Sequence, residues 1–496
     1  MVGLMHHMRW FKDFFDSRKV PVVPLRLHNT LGNALQEFTP PRYGPVKMYN
    51  CGPTVYDVQH IGNLSMFVFA DTLRRTLEYN GLNVQQVINI TDFGHLTSDT
   101  DEGEDKMSKG LRREGLELTL ENMHALAERY TALFLDDLRK LNIPVDTIEF
   151  PRASDYIPAQ IAMVKTLEEK EYAYRGKGGV YFDTTRFSRY GELGNIDISK
   201  QKEGARIATR AEKKNSADFL LWKSDKKLGW ESPWGKGFPG WHIECSAMIR
   251  SILGEKIDIH TGGPEHIAVH HNNEIAQSEA VTGKRPFARF WLHRAWIQLE
   301  NAKIAKSEGS VIYLSDIVSR GLDPLVYRYW LLTAHYRTPA NFTWEALEAA
   351  QNALQHLVRA LKTQKTDTHG APPVAYTKRF HERINDDLDT PGALAVMWEM
   401  VKDTTLKVED VLAGLYDMDR VLGLGLKNAD KTFASSMLAE EITLTELPEN
   451  VRKLVAEREG ARAIKNWQKA DDLRAQIEAA GYSIKDTDTS PQIFKK

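Results

Sequence analysis

The stretch Val46-Lys47-Met48-Tyr49-Asn50-Cys51-Gly52-Pro53, with His60-Ile61-Gly62-Asn63 close behind it, decides the fold. Val46 to Cys51 is largely apolar and stops at Gly52-Pro53, which predicts a buried strand ending in a turn. From Asn63 to Asn80 the pattern changes. Phe67, Ala70, Leu73 and Leu77 follow helical spacing, and Gly81 stands where a C-terminal cap belongs. Val84 to Ile90 supplies a second strand. Strand, helix and strand within this length make a βαβ unit, so the first domain is predicted to be a parallel, Rossmann-like α/β sheet with its site at the strand carboxyl ends. Cys51 and His60 both fall on that edge.

Moving outward, Asp99 to Lys109 is highly charged and reads as a loop, and Leu120 to Leu141 as an amphipathic helix. Between Phe150 and Lys214, Gly-rich and β-prone text such as Gly178-Gly179-Val180-Tyr181-Phe182 suggests an insertion that splits the sheet. Sheet text resumes near Phe219. Beyond Thr343, a predicted N-cap, Leu347, Ala350, Leu354, Leu357 and Leu361 form the stripe of a bundle helix. A second bundle helix is expected at Thr390-Pro391, with Thr as cap and Pro at the first helical position. A charged stretch from Lys427 to Asn450 precedes a last unit.

At 496 residues the chain exceeds the ~250 to ~300 at which single cores stop growing, so several domains are expected. Lys and Arg number 65 against 67 Asp and Glu, which gives no global basic signature; contact with nucleic acid requires local patches. No stretch approaches the ~20 apolar residues of a membrane span. The segment from Met1 to Val20 lacks the apolar core of a secretory signal and reads as an appended extension. The two cysteines, Cys51 and Cys245, exclude a disulfide scaffold, fit a reducing, cytoplasmic setting and invite a metal reading.

Zinc prefers thiolate, imidazole and carboxylate ligands. Cys51 ends a strand, Cys245 closes Gly240-Trp241-His242-Ile243-Glu244-Cys245, and His270 precedes Glu274 by one helical turn, with His266 and His271 as competing ligands. His60-Ile61-Gly62-Asn63, between a strand and a helix, suits phosphate: Gly62 lets the backbone approach, His60 can donate, and a helix N-terminus favours negative charge. On Lys303-Ile304-Ala305-Lys306-Ser307, ammonium groups can neutralise charge as pyrophosphate leaves.

Taken in order, Met48 to Asp57, His60 to Asn63, Gly240 to Met248 and His270 to Ala280 resemble the cysteinyl-tRNA synthetase family, and the likeness resumes at Asn385 to Leu394 and Val451 to Tyr482. The resemblance implies ATP-dependent activation of L-cysteine and its transfer to tRNA(Cys), with no DNA or membrane partner. It implies zinc on Cys51, Cys245, His270 and Glu274, and Thr54 and Trp241 as walls of the cysteine pocket. ATP, with magnesium, would lie against His60, Gly62, Asn63, Gly262, Gly263, Glu265 (at the ribose) and Lys306, with Lys303 and Lys306 in the mobile catalytic loop. The implied layout is an extension at 1–20, sheet halves at 21–149 and 216–300, an insertion at 150–215, a loop and stem-contact region at 301–342, a bundle at 343–430, and a linker with an anticodon-binding unit at 431–496. Asn63 stands where the family has His, and Ile304 and Ala305 where it has Met and Ser. Ser65 stands where many relatives have Arg. Lys106-Met107-Ser108-Lys109-Gly110 matches the mobile-loop consensus by letters, but it precedes the second half of the sheet and is set aside as a catalytic loop. In the tail, Arg452, Lys453, Arg458, Arg462, Lys465 and Lys469 cluster with Trp467, a pattern suited to phosphate contact and base stacking. Two rival readings are a cysteine ligase acting on an amino sugar, which would lack such a tail, and a non-catalytic paralogue binding tRNA or zinc.

Overall fold

The computed structural model describes residues 23–93, 106–196, 213–299, 302–303, 311–362, 370–428, 440–486 and 491–495. The N-terminal extension and positions 304–310, with Lys306, lie outside these. The chain enters through a hairpin of β1 (Arg26–Asn29) and β2 (Ala34–Glu37), then forms β3 (Val46–Asn50), α1 (Ile61–Tyr79) and β4 (Val84–Ile88). The expected βαβ unit is present: β3 and β4 pair in parallel from Val46↔Val84 to Asn50↔Ile88. Alternation along β3 divides the core. Val46 and Met48 join Phe69, Leu73 and Leu77 of α1 on one face, while Tyr49 joins a second cluster on the other. Both faces are therefore covered, as a parallel sheet requires. Leu73 is fully buried, and truncating it to Ala costs about 2–5 kcal/mol.

Part of the stretch expected as a loop before Lys109 is helical, because Met107, Gly110 and Leu111 share one buried face of α2 (Lys106–Arg113) amid the charges. After α3 (Leu120–Lys140) and α4 (Ile157–Glu169), β5 (Ala173–Gly176), β6 (Gly179–Phe182), β7 (Phe219–Ser224) and β8 (Gly237–Pro239) form an antiparallel sheet of their own. Phe219–Ser224, expected to resume the parallel sheet, instead pairs with β6, so the insertion's sheet runs on to Pro239. The apolar run carries no mark of which sheet it joins.

The parallel sheet resumes after α5 (Trp241–Ile252), with β9 (Ile257–Gly262), α6 (Pro264–Ala268), α7 (His270–Thr282) and β10 (Ala288–His293). Its order is β10-β9-β3-β4, so the chain reverses direction between β9 and β3, and the crevice at their carboxyl ends is the expected ligand position. β11 (Ile297–Leu299), β12 (Ala302–Lys303) and β13 (Ala340–Phe342) form a small sheet interleaved with α8 (Leu314–Ser319) and α9 (Pro324–Leu332). The bundle comprises α10 (Trp344–Lys362), α11 (Val374–Ile384), α12 (Thr390–Lys402) and α13 (Val408–Leu422). Leu347, Ala350, Leu354, Leu357 and Leu361 are all buried, and the Thr343 hydroxyl accepts from Ala346 N as expected of a cap. At the next helix the cap is Asp389 and not Thr390: its carboxylate accepts from Gly392 N at 2.9 Å, while Thr390 is buried in the first turn.

Bundle and sheet domain meet at a buried charge cluster. Asp71, midway along α1, receives Arg74 at 2.7 Å, Arg75 at 2.6 Å and Arg328 of α9 at 2.6 Å, with Asp71 and Arg328 wholly enclosed. Arg328 also donates to the carbonyls of Leu422 (2.7 Å) and Leu141 (3.0 Å). A Cβ on Gly423 would lie 2.3 Å from that guanidinium, so this close approach requires glycine. The last unit packs α14 (Glu449–Ala463) and α15 (Trp467–Ala479) on a sheet of β14 (Glu440–Ile442), β16 (Gln492–Lys495) and β15 (Tyr482–Lys485).

Candidate functional site

A cavity of about 360 Å³ opens at the carboxyl ends of β3 and β9, lined by residues that include Cys51, Thr54, His60, Gly62, Asn63, Trp241, Cys245, Gly262, Gly263, Glu265 and His270. β3 delivers Cys51, and the following turn presses against the end of β4: a Cβ on Gly52 would sit 1.6 Å from the Asn89 carbonyl oxygen. Thr54 bridges to Thr91 beyond β4, which fixes the loop across the cavity. Trp241 opens α5, and Cys245 follows it by one turn.

His60 is the N-cap of α1, and its Nδ1 accepts from Asn63 N at 3.2 Å. That bond draws the ring over Gly62, where a Cβ would come within 2.9 Å of it. Ser65 is buried and donates to the Gly62 carbonyl at 2.7 Å. Across the crevice, a Cβ on Gly262 would meet the rings of His266 and His271 at 2.6 Å, and one on Gly263 the Glu265 carboxylate at 2.5 Å. Glu265 accepts from Trp296 Nε1 at 2.5 Å. Lys303 lies in β12 opposite Gln298.

The ligand atoms of Cys51, Cys245, His270 and Glu274 lie within 4.8 Å of one another; so do those of Cys51, His260, His271 and Glu274. His270 Nε2 stands 2.9 Å from Glu274 Oε1, and His260 Nε2 is 3.0 Å from Oε2. Behind them runs a file of imidazoles: His271 Nε2 is 3.4 Å from Cys51 Sγ, His271 Nδ1 is 2.8 Å from His293 Nε2, and His293 Nδ1 is 2.7 Å from Thr30 Oγ1. His242 Nδ1 meets His270 Nδ1 at 2.9 Å. His242, His260 and His293 were not among the candidates read from sequence. The available signal was a histidine following the alternation Ile257-Asp258-Ile259 in a strand buried along its length, where burial demands a polar partner.

Electrostatics separate these groups. Burial opposes ionisation of Glu274, but His260 and His270 override it and hold the carboxyl down at about 2. His270 is likewise opposed by burial and is raised to about 10 by Glu274 and then Cys245. Burial and neighbouring histidines keep His271 and His293 well below the usual range, so both are neutral. The hydrogen bond with Cys51 acidifies Cys245, whereas burial pushes the Cys51 thiol up. One softened thiol, a second thiol, an imidazole and a carboxylate are the donor types of a zinc site.

In the tail, Arg458 is not a free RNA-facing cation: it is 2% exposed and grips Asp486 at 2.8 and 2.9 Å, where Arg462 and Arg474 also converge. Trp467 is 56% exposed, with the Arg462 guanidinium 5.8 Å from its ring centre.

Residues 37–352 match the model of the tRNA synthetases class I (C) catalytic domain, and 444–493 that of the cysteinyl-tRNA ligase anticodon binding domain. Cysteine–tRNA ligase 1 of Burkholderia lata is 45% identical over 478 residues, spanning 95% of this chain and 97% of that protein. The cysteine–tRNA ligase of Treponema denticola is 40% identical, spanning 93% and 98%. Among solved structures, a Mycobacterium tuberculosis methionyl-tRNA synthetase bound by methionyl-adenylate superposes with a TM-score of 0.54 at 14% identity, over 82% of this chain and 95% of that one, which speaks to the fold alone. Neither rival reading gains support, since the chain carries the anticodon-domain match that an amino-sugar ligase would lack. No helix among the described residues is long and apolar enough to cross a membrane. From its catalytic core to its tail, the chain belongs to the cysteine–tRNA ligase family of class I tRNA synthetases.

Proposed function

We propose that this chain joins L-cysteine to tRNA(Cys) in two steps at the cavity described above. In the first, an oxygen of the cysteine carboxylate bonds to the α-phosphorus of ATP and the bond to pyrophosphate breaks, giving cysteinyl-adenylate. In the second, a ribose hydroxyl of the terminal adenosine of tRNA takes the cysteinyl group, and AMP leaves. The observation that carries this reading is the convergence of Cys51, Cys245, His270 and Glu274 within 4.8 Å, three of which line the cavity that also holds the His60 cap of α1.

Cys51, Cys245, His270 and Glu274 would hold zinc, and two sulfur donors favour this set over the one containing His260 and His271. Zinc bound there supplies a soft Lewis acid for the substrate thiol, which serine and alanine cannot satisfy. Thr54 and Trp241 flank the amino acid. His60, Gly62 and Asn63 meet phosphate at the amino end of α1, where the helix dipole favours anions. Gly262 and Gly263 let the nucleotide approach the backbone, and Glu265 accepts from ribose hydroxyls. Lys303 and Lys306 neutralise departing pyrophosphate, whose charge a bound magnesium would share. The unit around α14 and α15 reads the anticodon, with exposed Trp467 available for stacking.

The test is exchange of labelled pyrophosphate into ATP across a panel of amino acids. Cysteine should support it at least a hundredfold better than serine or alanine; equal exchange with another amino acid would overturn the assignment.

A further inference from the structure

Four arginines are buried among the described residues, and three of them close on carboxylates: Arg74 and Arg328 on Asp71, and Arg458 on Asp486. Arg294 does not. It is 4% exposed, its Nε meets no acceptor, and no carboxylate among the described residues supports its charge. Burial lowers its pKa only to about 10, so the guanidinium stays protonated at neutral pH. A charge taken out of water with no counter-ion is strongly unfavourable, and its retention points to an anion that arrives from outside the protein. Arg294 follows β10 at the carboxyl edge of the parallel sheet, and its backbone N–H donates to the Gly262 carbonyl at 3.2 Å. Gly262 and the next three residues, Ala295, Trp296 and Ile297, line the catalytic cavity. The charge is felt at the buried Tyr327 phenol of α9, whose hydroxyl donates at 2.7 Å to the carbonyl of Ile61, the first residue of α1. Arg294 is thus held behind the cavity wall, on the side where α1 begins.

Building on the function proposed above, we propose that Arg294 is a positioning residue for the nucleotide: its buried positive charge draws the ATP polyphosphate to the amino end of α1 through the cavity wall, without touching it. Two anions come to this cavity in that function, the phosphates of ATP and the carboxylate of cysteine. The amino acid is gathered by the thiol-binding cluster on β3, α5 and α7, whereas the field of Arg294 reaches Tyr327 and the turn that opens α1. The polyphosphate also carries several negative charges against one, so the same field acts on it more strongly. Because the guanidinium is enclosed, salt screens it far less than it would a surface lysine. The charge is in place before the nucleotide arrives, so no reorganisation opposes binding. At an effective dielectric of about 20, a unit charge about 10 Å away changes affinity by roughly tenfold.

The experiment compares wild type, Arg294→Met and Arg294→Lys as full-length, zinc-loaded protein, titrated by calorimetry with ATP in magnesium and with adenosine, which lacks the phosphates. Arg294→Met should weaken ATP binding roughly tenfold or more and adenosine binding less than about threefold. In pyrophosphate exchange it should raise the KM for ATP by a similar factor without moving the KM for cysteine. Its urea midpoint should equal or exceed that of wild type, because an unpaired buried charge has been removed. Arg294→Lys should keep most of the ATP affinity. Equal weakening of ATP and adenosine would show a structural role and overturn the proposal. So would a lowered urea midpoint in Arg294→Met, a shift confined to cysteine, or no shift at all. Wild-type protein that fails to exchange pyrophosphate with cysteine would overturn the function itself; active wild type with an indifferent Arg294 overturns only this inference.

Discussion

Replacing Asp71 with Asn should destabilise the joint between sheet domain and bundle by about 3–5 kcal/mol, nearly all of it through Arg328. Without the carboxylate, Arg74 keeps Glu78 at 2.7 Å, and Arg75 keeps the carbonyl oxygen of Asn142 at 2.8 Å. These two losses amount to about 1 kcal/mol or less. Arg328 keeps only backbone carbonyls and is fully enclosed, so its charge remains buried beside no directly bonded carboxylate. Urea unfolding followed by circular dichroism measures the effect. A double variant, Asp71→Leu with Arg328→Met, should recover most of the loss, because the cost lies in the orphaned charge and not in lost packing. The acid dependence has a definite sign. Burial opposes the Asp71 charge, but three arginines override it and hold the folded pKa well below the ordinary value. The carboxylate's contribution is therefore complete above about pH 4 and fades as pH falls below it. An Asp71→Asn protein within about 1 kcal/mol of wild type at pH 7, or a gap that widened in acid, would refute this account.

Removing both Cys51 and Cys245 as alanines should abolish stoichiometric zinc by elemental analysis, since two of four ligands are lost. Lys306→Ala should cut cysteine-dependent pyrophosphate exchange at least a hundredfold while leaving cysteine binding nearly unchanged, whereas Lys109→Ala, on the exposed face of α2, should leave exchange unaltered. Truncation after Leu447 should preserve exchange but lower tRNA charging at least a hundredfold in a filter-binding assay. Burial raises the Asp137 carboxyl to about 6, so its charged form is penalised at neutral pH. Asp137→Asn should thus stabilise the protein by about 1–2 kcal/mol at pH 7.5 after allowance for solvent screening, a gain that calorimetry should see vanish near pH 4.

The sequence was most legible where one element imposes one period. β3, α1 and the stripe of α10 could be read directly because a strand buried on both faces and a one-sided helix leave different spacings of apolar residues. It was least legible where the deciding fact is a partner distant along the chain. Phe219–Ser224 reads as a buried strand in either sheet, and only pairing with β6 assigns it. Asp389 and Thr390 are both good caps, and the choice rests on which side chain reaches Gly392 N. In the site, Cys51, Cys245, His270 and Glu274 could be singled out by donor type, while His242, His260 and His293 could not. Their significance arises from contacts across β9, α5, α7 and β10 that no local pattern encodes. Arg458 shows the converse: a cation that looked solvent-facing among its neighbours is buried because Asp486 lies across from it.

The clamp on Asp71 gives α1 a second role. The helix begins at the His60 cap and is gripped eleven residues later, roughly 16 Å along at 1.5 Å per residue. It thus acts as a lever whose longer arm ends at the proposed phosphate receptor and whose fulcrum is held by α9 and the end of α13. A tilt of about 5° at the fulcrum carries the receptor through roughly 1.4 Å, and displacements of that order cost about a hundredfold in rate where geometry governs catalysis. A substitution at Gly423, which no substrate approaches, would be felt at the nucleotide as a change of angle.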